Sequence, residues 1–226
     1  MRLIITDVTE MHGGNYCVAG WNPQTQRMVR PLPNGTNWTA GLLQQHGVAP
    51  GASIDVVTTG QQHPSTFPHR TEDTPIKTAG IQLIHPGPIA WLAPGAPPTH
   101  ATVDQAFGGR LAHSRVWNGA RQGVHVPENT QISSLSAVRL SVGALTLFED
   151  NYQGKRSLRA YLDDGDACYN LPVVAKSFRE AYRMNGIGGA TQLLPAQGDV
   201  HVRLGLARAW SGQPGKCSLM INGIYG

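Results

Sequence analysis

Three groups of residues in this chain have types and spacings that could do chemistry. His69-Arg70-Thr71-Glu72-Asp73 places an imidazole and two carboxylates within five residues, the donor types that hold a divalent cation and activate water. The spacing lacks the register of a helical H-E-x-x-H site, and the run follows Pro64 and Pro68. Turn hydrogen bonds or an ion pair are the plainer role for these groups, and a metal-dependent nuclease or hydrolase built on His69, Glu72 and Asp73 is the enzymatic alternative. The second group lies on alternating positions of apolar runs in the second half: Arg139, Arg159, Tyr161, His201 and Arg203. Cationic side chains interleaved with an aromatic ring suit a single-stranded nucleic acid, with arginines on phosphates and the ring stacked on a base. The third group is Arg115-Val116-Trp117-Asn118-Gly119-Ala120-Arg121, an exposed turn by composition that carries Arg115 and Trp117, with Arg30 as a further candidate in the first half. Trp21 and Trp38 read better as packing residues.

Other chemistries lack their motifs. There is no P-loop, no G-x-S-x-G elbow and no kinase signature. Gly186-Ile187-Gly188-Gly189-Ala190 follows a helical pattern, whereas a dinucleotide loop must follow a strand and open a helix whose N-terminus faces phosphate. No cofactor is expected.

The elements that must position these residues are mostly strands. Residues 3–9 and 16–21 read as strands joined through His12-Gly13-Gly14-Asn15, and a short strand over 27–30 is stopped by Pro31 and Pro33. A helix over 39–46 is capped by Thr39 and ended by Gly47, and a strand follows over 52–59. From Val138 the pattern resumes. Leu140 and Val142 share one phase and Leu145 and Leu147 the other, so Gly143-Ala144 predicts a β-bulge in a long bent strand. Leu158, Ala160 and Leu162 alternate with Arg159 and Tyr161, 168–174 is a third strand, 175–184 a helix, and 200–206 and 217–224 close the chain as strands. The first half runs strand, strand, strand, helix, strand and the second strand, strand, strand, helix, strand, strand, an order compatible with a small barrel of the oligonucleotide/oligosaccharide-binding (OB) type in each. Between 61 and 125 the pattern weakens, and His85-Pro86-Gly87-Pro88 and Pro94-Gly95-Ala96-Pro97-Pro98 flank a short apolar piece, 89–92. The expectation is a mainly β chain of two tandem OB-like barrels with short helices, 1–85 and 131–226, joined by a Pro/Gly-rich connector over 86–130.

Composition bounds the rest. The 226 residues hold 40% hydrophobic residues, 27 glycines and 16 prolines, with only 14% charged residues against roughly 25% in an average domain. Bundles, coiled coils and collagen are excluded. Residues 1–113 carry 6 basic and 6 acidic side chains and residues 114–226 carry 12 and 8, so the net charge of +4 belongs to the second half. Basicity placed in one half suits an anionic partner. Cys17, Cys168 and Cys217 are odd in number and form no C-x-x-C pair, which argues against a disulfide framework or structural zinc. The opening apolar run is too short for a secretory signal and no stretch approaches a membrane span, so a cytoplasmic location is expected.

Taken in order, the opening strand over 3–9, Tyr16-Cys17-Val18-Ala19-Gly20, Met28-Val29-Arg30-Pro31, residues 51–57, His69-Arg70-Thr71-Glu72-Asp73 and Gly215-Lys216-Cys217-Ser218-Leu219 resemble the bacterial dual OB-containing domain family over nearly the whole chain. The resemblance implies two OB-like barrels and a nucleic-acid-binding role beside bacterial defence or nucleic-acid-processing systems. It implies no reaction and supplies no catalytic residue. Pro172-Val173-Val174-Ala175 is less polar than the family pattern. The function expected is non-catalytic binding of single-stranded DNA or RNA, with Arg30, Arg115, Trp117, Arg139, Arg159, Tyr161, His201 and Arg203 as contacts. A docking subunit for a protein partner is a further alternative.

Overall fold

A computed structural model describes residues 1–87, 97–152 and 154–226. The chain is mainly β and divides into two compact units, Met1–Pro98 and Thr99–Gly226, each with its own apolar core.

In the first unit, β1 (Arg2–Glu10) pairs antiparallel with β2 (Asn15–Asn22), and β2 with β3 (Arg27–Pro33). The two-residue strand β4 (Trp38–Thr39) leads into α1 (Ala40–Gln45), where the Thr39 hydroxyl accepts from the Leu42 amide and Gly47 stops the helix at φ +60°. Strand β5 (Ser53–Asp55) returns to β1, and β6 (Asp73–Ile76) runs parallel to β3. The ring closes where Thr58 bridges Ile76 and the Lys77 amide donates to the Val57 carbonyl at 2.8 Å. Strand β7 (Gln82–His85) adds to the free side of β5. Leu3, Ile5, Val18, Trp38, Ile54 and Ile76 fill the interior, so Trp38 is a core residue as its packing role required.

Strand β3 runs on to Pro33, past the prolines that were expected to end it. The Arg30 and Asn34 amides donate to the Glu72 and Ile76 carbonyls of the β6 side. Pro31 and Pro33 occupy the alternate positions, whose nitrogens face away from β6, and pairing with β2 has already stopped at Val29. The missing N–H groups therefore remove no ladder bond.

The second unit begins earlier than the pattern suggested. The described residues of the expected connector from Thr99 onward fold into it: α2 (Val103–Ala106), β8 (Arg115–Trp117), β9 (Ala120–Gln122) and β10 (His125–Pro127). Val103, Phe107, Val124 and Val126 are buried in its core. Their contacts are long-range, which is why local periodicity did not reveal them. The apolar piece at 89–92 lies outside the described residues.

Strand β11 (Leu135–Ser141) turns through a 3₁₀ turn at Val142–Ala144 into β12 (Leu145–Tyr152), so the phase change is a turn rather than a bulge. Strands β13 (Lys155–Asp163) and β14 (Cys168–Pro172) follow antiparallel. Helix α3 (Lys176–Thr191) breaks at Asn185 and Gly186, and its second half takes in the glycine-rich run that the sequence had set aside. Strands β15 (Asp199–Leu206) and β16 (Lys216–Tyr225) complete the ring. Val173 bridges Ile221 in parallel, and the Val174 amide donates to the Ile221 carbonyl at 2.9 Å.

Both rings thus close in one order. With the bent pair β11–β12 taken as one strand, each is first-second-third-fifth-fourth-first, with a helix between the third and fourth strands. That is the OB connectivity.

Candidate nucleic-acid interface

Strand β13 buries Leu158, Ala160 and Leu162 and turns Arg159 and Tyr161 outward, as period-2 alternation dictates. Its neighbours present Thr146, Phe148 and Asp150 from β12, and Cys168, Asn170 and Pro172 from β14, on the same face. The Phe148 and Tyr161 rings stack with centroids 4.5 Å apart and an interplanar angle of 15°. Arg159 is anchored by Nε donating to Asn170 Oδ1 at 2.6 Å and Nη2 donating to the Asn170 carbonyl at 3.0 Å. Asp150 Oδ2 lies 3.8 Å from Arg159 Nε. Burial pulls the Arg159 guanidinium below its ordinary pKa while Asp150 and Tyr161 oppose the shift, and an arginine in this range keeps its charge.

The hairpin β8–β9 extends this sheet to the order β12-β13-β14-β9-β8. Its turn is Asn118-Gly119 with φ +49° and +76°, the left-handed pair that a tight two-residue hairpin requires. Cys168 pairs with Ala120, Ala120 with Trp117, and Gln122 with Arg115. Arg115 and Trp117 consequently share the face that carries Arg159 and Tyr161, three strand spacings or about 14 Å away. Trp117 is 59% exposed, and Arg115 Nε donates to Gln122 Oε1 at 3.0 Å. On the opposite face Arg121 sits 5.4 Å from the Tyr169 ring centroid and donates to its hydroxyl, and burial first, then Asp164, pushes that phenol up to about 12.

The remaining candidates lie elsewhere. Arg139, His201 and Arg203 occupy the β11–β15 register, where Arg139 faces His201 and Ala137 faces Arg203. Arg139 is exposed and ion-paired with Asp199 at 3.0 Å. Arg203 and His201 are 2% and 7% exposed, which corrects their placement on an open face. Strand alternation distinguishes two faces without telling which is covered. Burial, then Arg203 and Arg139, lower the His201 pKa, so its ring is neutral at pH 7.

Arg30 is likewise buried rather than presented. Its Nη1 meets Asp73 Oδ1 at 2.8 Å, with side-chain exposures of 6% and 0%. Burial alone would lower its pKa, and Cys17, Asp73 and Glu72 together raise it. His69 and Glu72 are buried as well, and the run turns on itself where the His69 amide donates to the Thr66 carbonyl and the Asp73 amide to the His69 carbonyl. Among the described residues no group of three or more His, Cys, Asp or Glu side chains could hold a metal ion. The open cleft that the hydrolase alternative requires is not what surrounds His69, Glu72 and Asp73.

Phe148, Asp150, Asn170 and Gln122 were not anticipated. Alternation through Leu145-Thr-Leu-Phe148 places Phe148 outward and could have found it, but Asn170 and Gln122 become neighbours of the arginines only through strand register.

Two closed rings of OB connectivity, one with an aromatic and cationic sheet face, define a tandem-barrel protein of a fold used to bind nucleic acid. The model of the dual OB-containing domain family matches residues 1–224, and the chain belongs to that family. The chain matches no curated protein and no solved structure. No helix among the described residues is long and apolar enough to cross a membrane.

Proposed function

We propose that this protein binds single-stranded nucleic acid across the β12-β13-β14-β9-β8 face of its second barrel, as a non-catalytic cytoplasmic accessory of a nucleic-acid-processing or defence system. One observation carries the reading: strand register gathers Arg115, Trp117, Phe148, Arg159 and Tyr161, from segments far apart in sequence, onto one sheet face. Rings stack bases whatever their identity, and guanidinium groups follow the phosphates. The excess of basic residues in the second half supports the same assignment. Fluorescence anisotropy of labelled DNA and RNA oligonucleotides at several salt concentrations tests it. Binding that weakens steeply with salt and with Trp117→Ala is expected. Absence of binding at low salt, or binding indifferent to salt, would sink it.

A further inference from the structure

Asp150 is out of place on a face that meets phosphates alone. Phosphate oxygens are negative and only accept hydrogen bonds, so a carboxylate beside them repels and pairs with nothing. Yet Asp150 lies two residues from Phe148 on the outward side of β12, with its Oδ2 3.8 Å from Arg159 Nε. Its side chain is 42% exposed, and among the described residues the contact with Arg159 is the one it makes. A pair this open adds little to stability, so the carboxylate is left available to a ligand.

Arg159 is oriented as well as charged. Nε and Nη2 are spent on Asn170, at 2.6 Å and 3.0 Å, which fixes the plane of the guanidinium. Among the described residues nothing takes the two N–H groups of Nη1. A fixed donor therefore stands beside an open two-oxygen acceptor. Register sets Phe148 directly opposite Arg159, and Phe148 stacks on Tyr161. Such rings stack bases, so the group brought to this pair is the edge of a base.

Base edges differ in what they offer it. Guanine carries two adjacent donors, N1–H and the N2 amino group, with the O6 acceptor next to them. The two donors match the two oxygens of a carboxylate, and O6 then falls to a neighbouring cation. Adenine, cytosine, thymine and uracil each offer one donor group on that edge, flanked by acceptors or by carbon. A carboxylate placed against them makes one hydrogen bond and faces a lone pair or a C–H with its other oxygen. We infer that Asp150 and Arg159 select guanine in the bound strand, Asp150 accepting from N1–H and N2–H and Arg159 donating to O6. This rests on the assignment of the face to single-stranded nucleic acid.

Anisotropy titrations of the full chain at one low salt concentration test the selection. The probes are short oligothymidylates carrying isolated guanines, and the same strands with inosine or adenine in their place, in deoxyribose and ribose forms. Inosine lacks only the N2 amino group. The guanine strands are expected to bind about tenfold more tightly than either counterpart, the discrimination of one bidentate pair. Asp150→Asn replaces one acceptor by a donor and should abolish the preference. In strands without guanine the same variant should bind more tightly, because there Asp150 only opposes phosphate. Equal affinity for the three strands, or a guanine preference that survives Asp150→Asn, would overturn the selection. A preference for ribose that ignores the base would assign Asp150 to the 2′-hydroxyl and overturn it too. In each case salt-dependent binding lost in Trp117→Ala would leave the binding face itself standing, whereas no binding of any strand would remove both.

Discussion

Phe148 and Tyr161 lie ring on ring across β12 and β13, although strand register sets Phe148 opposite Arg159 and Thr146 opposite Tyr161. The stack is therefore diagonal, and diagonal neighbours are within reach only of large side chains. It steadies each ring in an orientation that a mobile aromatic would lose on binding. Tyr161→Ala removes a stacking surface and leaves Phe148 without its support. Oligonucleotide affinity is expected to fall by about 1–3 kcal/mol per lost base stack, on the order of tenfold, in anisotropy titrations. Tyr161→Phe keeps the ring and should bind like the wild type.

Asp150 is the acidic neighbour that a phosphate must compete with. It lies 3.8 Å from Arg159 on the same face. Asp150→Asn frees the guanidinium without changing the shape of the face. Tighter oligonucleotide binding and a steeper salt slope are the expected result, measured by titration at several salt concentrations. Unchanged affinity would show that Arg159 serves Asn170 rather than a ligand.

Arg30 and Asp73 make a different claim, on stability. Both side chains are buried, and Arg30→Met leaves Asp73 without its cation. Loss of about 3–5 kcal/mol is expected in urea unfolding. Arg203→Glu, at a position 2% exposed, should also destabilise, and a binding defect in that variant would report on folding. Charge reversal at Arg115 or Arg159 is the informative test of the interface.

His201 gives stability a pH dependence of known sign. Its folded-state pKa is lowered, by burial first and then by Arg203 and Arg139, so the unfolded chain binds the proton more readily. Its contribution is present above the ordinary histidine range, near 6.5, and is lost as pH falls below it. Denaturant unfolding between about pH 5 and pH 8 should show this decline, and His201→Gln should flatten it.

The elements that alternate cleanly were legible in the sequence: β1, β2, α1 with its Thr39 cap, β13, β15 and β16 follow from local pattern and capping chemistry. Strands β6, β8, β9 and β10 were not, because each is short and owes its existence to a partner far along the chain. Asp73–Ile76 becomes a strand by lying against β3, and Ala120–Gln122 by lying against β14. The interface divides the same way. Arg159 and Tyr161 were visible as outward residues of one strand, and Arg115 and Trp117 as residues of a turn, but their common face is a property of register. Burial of Arg30, His201 and Arg203 was invisible for the complementary reason, since alternation assigns a residue to a face and says nothing of what lies over that face.

Each ring is held by antiparallel or parallel ladders at every junction but one. The first is completed by the bridge between Thr58 and Ile76, the second by that between Val173 and Ile221. A barrel sewn with one weak seam opens like a split cylinder, since a few backbone bonds fail there before any ladder does. Local opening should begin at these two seams, and slow amide exchange at Val174 and Lys77 would mark when each cylinder is shut.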